Sequence, residues 1–101
     1  MLIVSGIMRF ELADREEILE GLEWVTERSR TDSGCIDYWF AEDIAEPGCF
    51  RVFERWETSD DFASHRVAPH EEQWNEKYLH KMTSAEVAQY EVSGREPIVG
   101  D

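Results

Sequence analysis

Two stretches on either side of Ala45 constrain this chain more than any other feature. Cys35-Ile36-Asp37-Tyr38-Trp39-Phe40-Ala41 and Phe50-Arg51-Val52-Phe53-Glu54-Arg55-Trp56 both read as strands, rich in aromatic and β-branched residues. The segment between them, EDIAEPG, carries the Pro47-Gly48 pair of a turn. Successive residues of a strand point to opposite faces of the sheet. Here bulky side chains occur on both faces: Phe50 and Val52 lie on one, Phe53 on the other. A sheet made of such strands needs cover on each side.

The rest of the chain supplies one of those covers. Leu2 to Phe10 reads as a strand, and a helix follows from about Asp14 to Arg30. Asp14 is placed to cap that helix, with Glu16 and Glu17 at the positive end of its dipole. Ile18, Leu22 and Val25, with Leu19 beside them, make one apolar stripe, and TDSG closes the segment after Arg28 and Arg30. Thr58 or Ser59 caps a short helix running to about His65. Pro69 suits the first turn of another, with Glu71 and Glu72 near its start and Lys77 and Lys81 near its end. Ala85 to Val92 is a last strand, so residues 1–93 form one domain and 94–101 a tail.

The order strand, helix, strand, strand, helix pair, strand predicts an α+β fold of the ferredoxin-like, split βαβ type. Its helices cover one face of an antiparallel sheet. The second apolar face then calls for a second copy of the same sheet, an isologous homodimer forming a dimeric α/β barrel.

Charge narrows the class of partner. The 101 residues hold 23 acids against 10 basic residues, a formal net of -13. Such a surface repels phosphate backbones and anionic lipid, which argues against nucleic acid and membrane surfaces. No apolar run approaches about 18 residues, and MLIVSGIMRF lacks the basic leader and small-residue site of a signal peptide. The only cysteines, Cys35 and Cys49, lack C-x-x-C spacing and sit near opposite ends of the hairpin, too far apart to bridge. The expectation is a cytoplasmic protein with two buried thiols.

The residues able to carry chemistry gather late in the chain. Glu54 shares a strand face with Phe50, Val52 and Trp56, a carboxylate among apolar neighbours. It is either a hydrogen-bonded structural group or a site acid or base whose pKa burial raises. His70, Trp74, Tyr78 and Met82 follow one another at i, i+4, as core or as pocket wall, and both Trp74 and Tyr78 carry a polar tip. His70 lies in a first helical turn, where the dipole favours the neutral ring. His65 stands one turn after Phe62 and points to the same interior, as a core residue or a site residue, while His80 has no supporting neighbours. Glu54, His65 and His70 are the residue types of a facial metal triad, but a helix break and a proline separate them, so no metal is expected. There is no phosphate loop, nucleophile elbow or zinc spacing.

The set Gly34-Cys35-x-x-Tyr38, Phe53-Glu54-x-Trp56, Phe62-x-x-His65 and Pro69-His70 resembles the antibiotic biosynthesis monooxygenase family from Leu2 to about Val92. The resemblance implies a dimeric α+β barrel and oxidation of a small hydroxylated aromatic or quinol by O2 without metal or flavin. Loss of a phenolic proton makes such a ring electron-rich enough to reduce oxygen directly. His65 or His70 would be the base, Glu54 would orient it or share its proton, and Trp56, Trp74 and Tyr78 would line the cavity. Trp56, His65, His70 and Glu54 fall where members of the family commonly carry those residues. Haem-degrading relatives carry an asparagine on the first strand, where this chain reads Val4-Ser5-Gly6, so haem is not expected. A dimeric ligand-binding protein without catalysis is the alternative.

Overall fold

The computed structural model describes residues 1–100. Its four strands are β1 (Leu2–Phe10), β2 (Cys35–Glu42), β3 (Cys49–Trp56) and β4 (Met82–Glu91), joined by α1 (Arg15–Ser29), α2 (Ser59–Arg66) and α3 (Pro69–Tyr78). The sheet is antiparallel in the order β2-β3-β1-β4. This is the α+β, ferredoxin-like arrangement that the sequence predicts, in one chain.

Alternation sorts the strand residues. Leu2, Val4, Met8 and Phe10 of β1 and Phe50, Val52 and Trp56 of β3 turn toward the helices and are buried. Ile18, Leu22 and Val25 of α1 meet them; each such apolar side chain contributes roughly 1.5–3 kcal/mol on leaving water. Leu19, expected on that stripe, is instead 37% exposed, because α1 turns a narrower face to the sheet. Gly21 lets α1 and α3 approach closely: a Cβ there would stand 2.5 Å from the Tyr78 ring.

Several boundaries differ from expectation. Asp14 makes no side-chain cap bond, since a 3-10 turn over Leu12–Asp14 precedes α1; its carboxylate faces Lys81 at 3.7 Å. Helix α3 stops at Tyr78, a 3-10 turn spans Leu79–Lys81, and Met82 already pairs with Phe10 as the start of β4. Lys81 therefore lies in that turn, and the i, i+4 stripe ends at Tyr78. Sheet pairing on β1, helped by the Thr83 hydroxyl donating to the Arg9 carbonyl at 3.1 Å, prevails over continued helix. Strand β3 also begins one residue early, at Cys49, after Gly48 takes the left-handed conformation at φ +85°.

The opposite sheet face is open. Trp39 lies across from Phe53, and their residues are 55% and 37% exposed. Tyr90 of β4 is 54% exposed on the same side. No helix of the described residues is long and apolar enough to cross a membrane.

Candidate active site

The site begins on β3. Glu54 lies between Val52 and Trp56 on the helix-covered face, only 6% exposed, with Tyr38 of β2 directly opposite. The Trp56 indole N–H donates to Glu54 Oε1 at 2.9 Å. This bond engages Oε1 alone; among the described residues no other side chain bonds the carboxylate. Burial pushes the Glu54 carboxyl up to about 7, with the indole bond and nearby His65 pulling the other way. It therefore titrates near neutrality in an apolar wall.

Helix α2 brings His65 over these groups. Thr58 caps the helix, its hydroxyl accepting from the Asp61 backbone N–H at 3.1 Å. The His65 ring, 3% exposed, lies 4.7 Å from Trp56 and 5.5 Å from Tyr38 between centroids. Its Nδ1 faces Asp32 Oδ2 at 2.8 Å, and its Nε2 faces Glu71 Oε2 at 3.3 Å. Burial opposes the charged ring, but hydrogen bonds to Glu71 and Asp32 outweigh it and raise the His65 pKa. With a carboxylate at each nitrogen, His65 donates twice only as imidazolium.

Asp32 comes from the loop after α1. That loop is fixed by the Cys35 N–H donating to the Asp32 carbonyl at 3.1 Å, and by Glu57 N–H donating to the Gly34 carbonyl at 2.9 Å. Gly34 is left-handed at φ +78°, and a Cβ there would collide with the Asp61 side chain in the first turn of α2. His70, in the first turn of α3, points Nε2 at the same Asp32 Oδ2, again at 2.8 Å.

A cleft of about 360 Å³ lies between the sheet and helices α2 and α3. Tyr38, Glu54, His65, Glu71 and Trp74 line it with apolar neighbours such as Val4, Met8 and Phe62. It reaches β4 at Ala85, Val87 and Gln89. Trp74 is 5% exposed, and its buried indole N–H has no acceptor among the described residues.

The six residues singled out by sequence thus separate. Glu54, His65 and Trp74 share the cleft. Trp56 stands behind Glu54 at 0% exposure, and His70 is reached from His65 through Asp32. Tyr78 packs on Gly21 and on Trp74, away from the cleft. His80 is exposed. Of the two free cysteines, Cys49 is buried, while Cys35 is half-buried with its thiol pushed up to about 11 by burial, so it stays protonated at neutral pH. Sequence reasoning missed Asp32 and Glu71. TDSG reads as a helix end and Glu71 as a helix-dipole residue, and no spacing signal ties Asp32 to a histidine 33 residues later.

The model of the antibiotic biosynthesis monooxygenase family matches residues 1–77. This chain belongs to that family. Within the family's fold, a Deinococcus radiodurans structure described as a candidate antibiotic biosynthesis monooxygenase superposes with a TM-score of 0.90 at 24% identity, covering 99% of this chain and 100% of that one. A candidate of the same description from Nitrosomonas europaea gives 0.86 at 18% identity, over 93% and 100% of the two chains. An uncharacterised Synechocystis protein, sll1783, is 30% identical over 76 residues, which are 75% of this chain and 52% of that protein. The chain thus spans about half the length of this curated relative.

Proposed function

We propose that this member of the antibiotic biosynthesis monooxygenase family is a cofactor-independent monooxygenase acting on a small hydroxylated aromatic or quinol. The observation that carries the reading is a buried carboxylate, Glu54, titrating near neutrality on the wall of an apolar cleft of ligand size. Glu54 takes the phenolic proton, and the electron-rich phenolate passes an electron to O2. Radical and superoxide then combine at a ring carbon. Glu54 returns its proton to the peroxide oxygen. Loss of that carbon's proton then forms the C=O bond as the O–O bond breaks, and the hydroxide expelled takes up that proton and leaves as water. The substrate gains one oxygen atom and loses two hydrogens, and the second oxygen leaves in the water.

The sequence reading makes His65 or His70 the base. Because both ring nitrogens of His65 face carboxylates and His70 points at Asp32, we assign the base to Glu54 and give the histidines the role of holding Asp32 and Glu71. Trp74 offers its unpaired indole N–H to a substrate oxygen. Trp56 keeps Glu54 oriented, and Tyr78 supports Trp74 from behind. The reading includes a homodimer that covers Trp39, Phe53 and Tyr90, and a cytoplasmic setting in which Cys35 and Cys49 stay reduced.

Oxygen-electrode assays over a panel of quinols and anthrones test it. The wild type consumes one O2 per substrate, and Glu54→Gln lowers kcat/KM by about 10²–10⁴-fold. Equal turnover by the variant removes Glu54 from the mechanism. Tight binding of panel compounds without oxygen uptake assigns the chain to the non-catalytic ligand-binding class.

A further inference from the structure

We infer that Asp32, His65 and His70 form a binding site for one divalent transition-metal ion. Three separate segments deliver these donors: the loop after α1, helix α2 and the first turn of α3. The donor atoms lie within 4.8 Å of one another. Both imidazoles aim at one oxygen, since His65 Nδ1 and His70 Nε2 each stand 2.8 Å from Asp32 Oδ2. A buried histidine needs a hydrogen-bond partner, but it does not need to share one carboxylate oxygen with a second histidine.

The distances suit an ion. Zinc sits about 2.0–2.2 Å from nitrogen and oxygen donors in tetrahedral sites, which sets the donors roughly 3.3 Å apart. The two carboxylate contacts then open by about 0.5 Å, the two imidazole nitrogens, within 4.8 Å of each other, turn toward the ion, and the ring protons facing Asp32 leave to solvent as the metal enters. Two imidazoles and one carboxylate select zinc, iron, cobalt, nickel or copper over magnesium or calcium. Glu71 at the far nitrogen of His65 completes the carboxylate–histidine–metal pattern, which fixes the ring with Nδ1 free for the ion. The Asp32 and His70 side chains remain 20% and 15% exposed, so the ion has a path in and water can fill its remaining positions. The net charge of -13 favours approach of a cation. The inference does not depend on the oxygenase reading: of the three donors only His65 lines the cleft, while Asp32 and His70 lie outside it.

Calorimetry with Zn²⁺ on the metal-stripped full chain decides the matter, with circular dichroism confirming that each variant is folded. One Zn²⁺ binds per chain, and excess Mg²⁺ does not displace it. Asp32→Asn and His70→Ala each weaken binding at least about tenfold, whereas His80→Ala leaves it unchanged. Cu²⁺ in the same site shows two nitrogen donors by electron paramagnetic resonance. Absence of a stoichiometric site, or equal binding by His70→Ala, overturns the proposal and leaves a hydrogen-bonded cluster only. Should Asp32→Asn fail to fold, the partly exposed His70 still carries the test.

Discussion

Phe53 and Trp56 sit three residues apart on one strand and meet opposite surroundings. Trp56, turned to the helices, is 0% exposed and donates its indole N–H to Glu54. Phe53, turned the other way, is 37% exposed and lies across from Trp39 in the open face. Strand alternation alone produces the contrast, because α1, α2 and α3 all pack on one side of the sheet. One face is a core that houses a site; the other is an apolar surface without a cover among the described residues of the single chain.

Substitutions on the two faces should act in different ways. Trp56→Ala deletes a fully buried side chain and its hydrogen bond, and costs about 3–5 kcal/mol of stability at any protein concentration. Phe53→Glu leaves the fold intact and acts on association, converting the proposed dimer to a monomer in light scattering. Urea unfolding of both variants at several concentrations tests the contrast. A wild type that is monomeric at micromolar concentration would remove the second cover and break it.

The fold was legible because its signals are local or periodic. Ile18, Leu22 and Val25 declare a helix face, Pro47-Gly48 a hairpin, and the two-faced strands an open sheet. The site was legible only in part. Glu54 stood out as a carboxylate in an apolar strand, and it does lie in the cleft wall. Asp32 did not stand out, because its partnership with His65 and His70 exists only after α1, α2 and α3 dock. His70 likewise meets Asp32 from a loop elsewhere in the chain, a partner that its own helix does not announce. Met82 was misplaced for the same reason: pairing with Phe10 across the sheet decides its state, and a helical period cannot report that.

Glu54 gives the next largest effect, and it has a sign. Its carboxyl lies near 7 in the folded chain against an ordinary value of 4.5. Between those values the folded state holds a proton that the unfolded state has released. The contribution of Glu54 to stability is therefore most favourable at low pH and declines as pH rises through 7, by on the order of 3 kcal/mol in all. Glu54→Gln, which can still accept from Trp56, removes this decline. The variant should be no more stable than wild type near pH 4.5 and more stable by about 2–3 kcal/mol at pH 8. Parallel pH profiles from chemical denaturation would show that Glu54 is not held in a desolvated wall. A variant that is steadier yet slower is the mark of a carboxylate kept buried for chemistry.

The smallest effect probes whether the two faces are independent. Thr58 caps α2, the helix that carries His65, and its hydroxyl accepts from the Asp61 backbone N–H at 3.1 Å. Thr58→Ala removes that acceptor and costs about 1 kcal/mol. The helix lies on the covered side, so the loss should appear as the same shift of the urea midpoint at every protein concentration. The dissociation constant of the proposed dimer should not change. A loss that grows on dilution would mean that α2 senses the partner subunit across the sheet. Trp56, packed 4.7 Å from the His65 ring and on the same strand as Phe53, would then be the residue through which the covered face and the open face are joined.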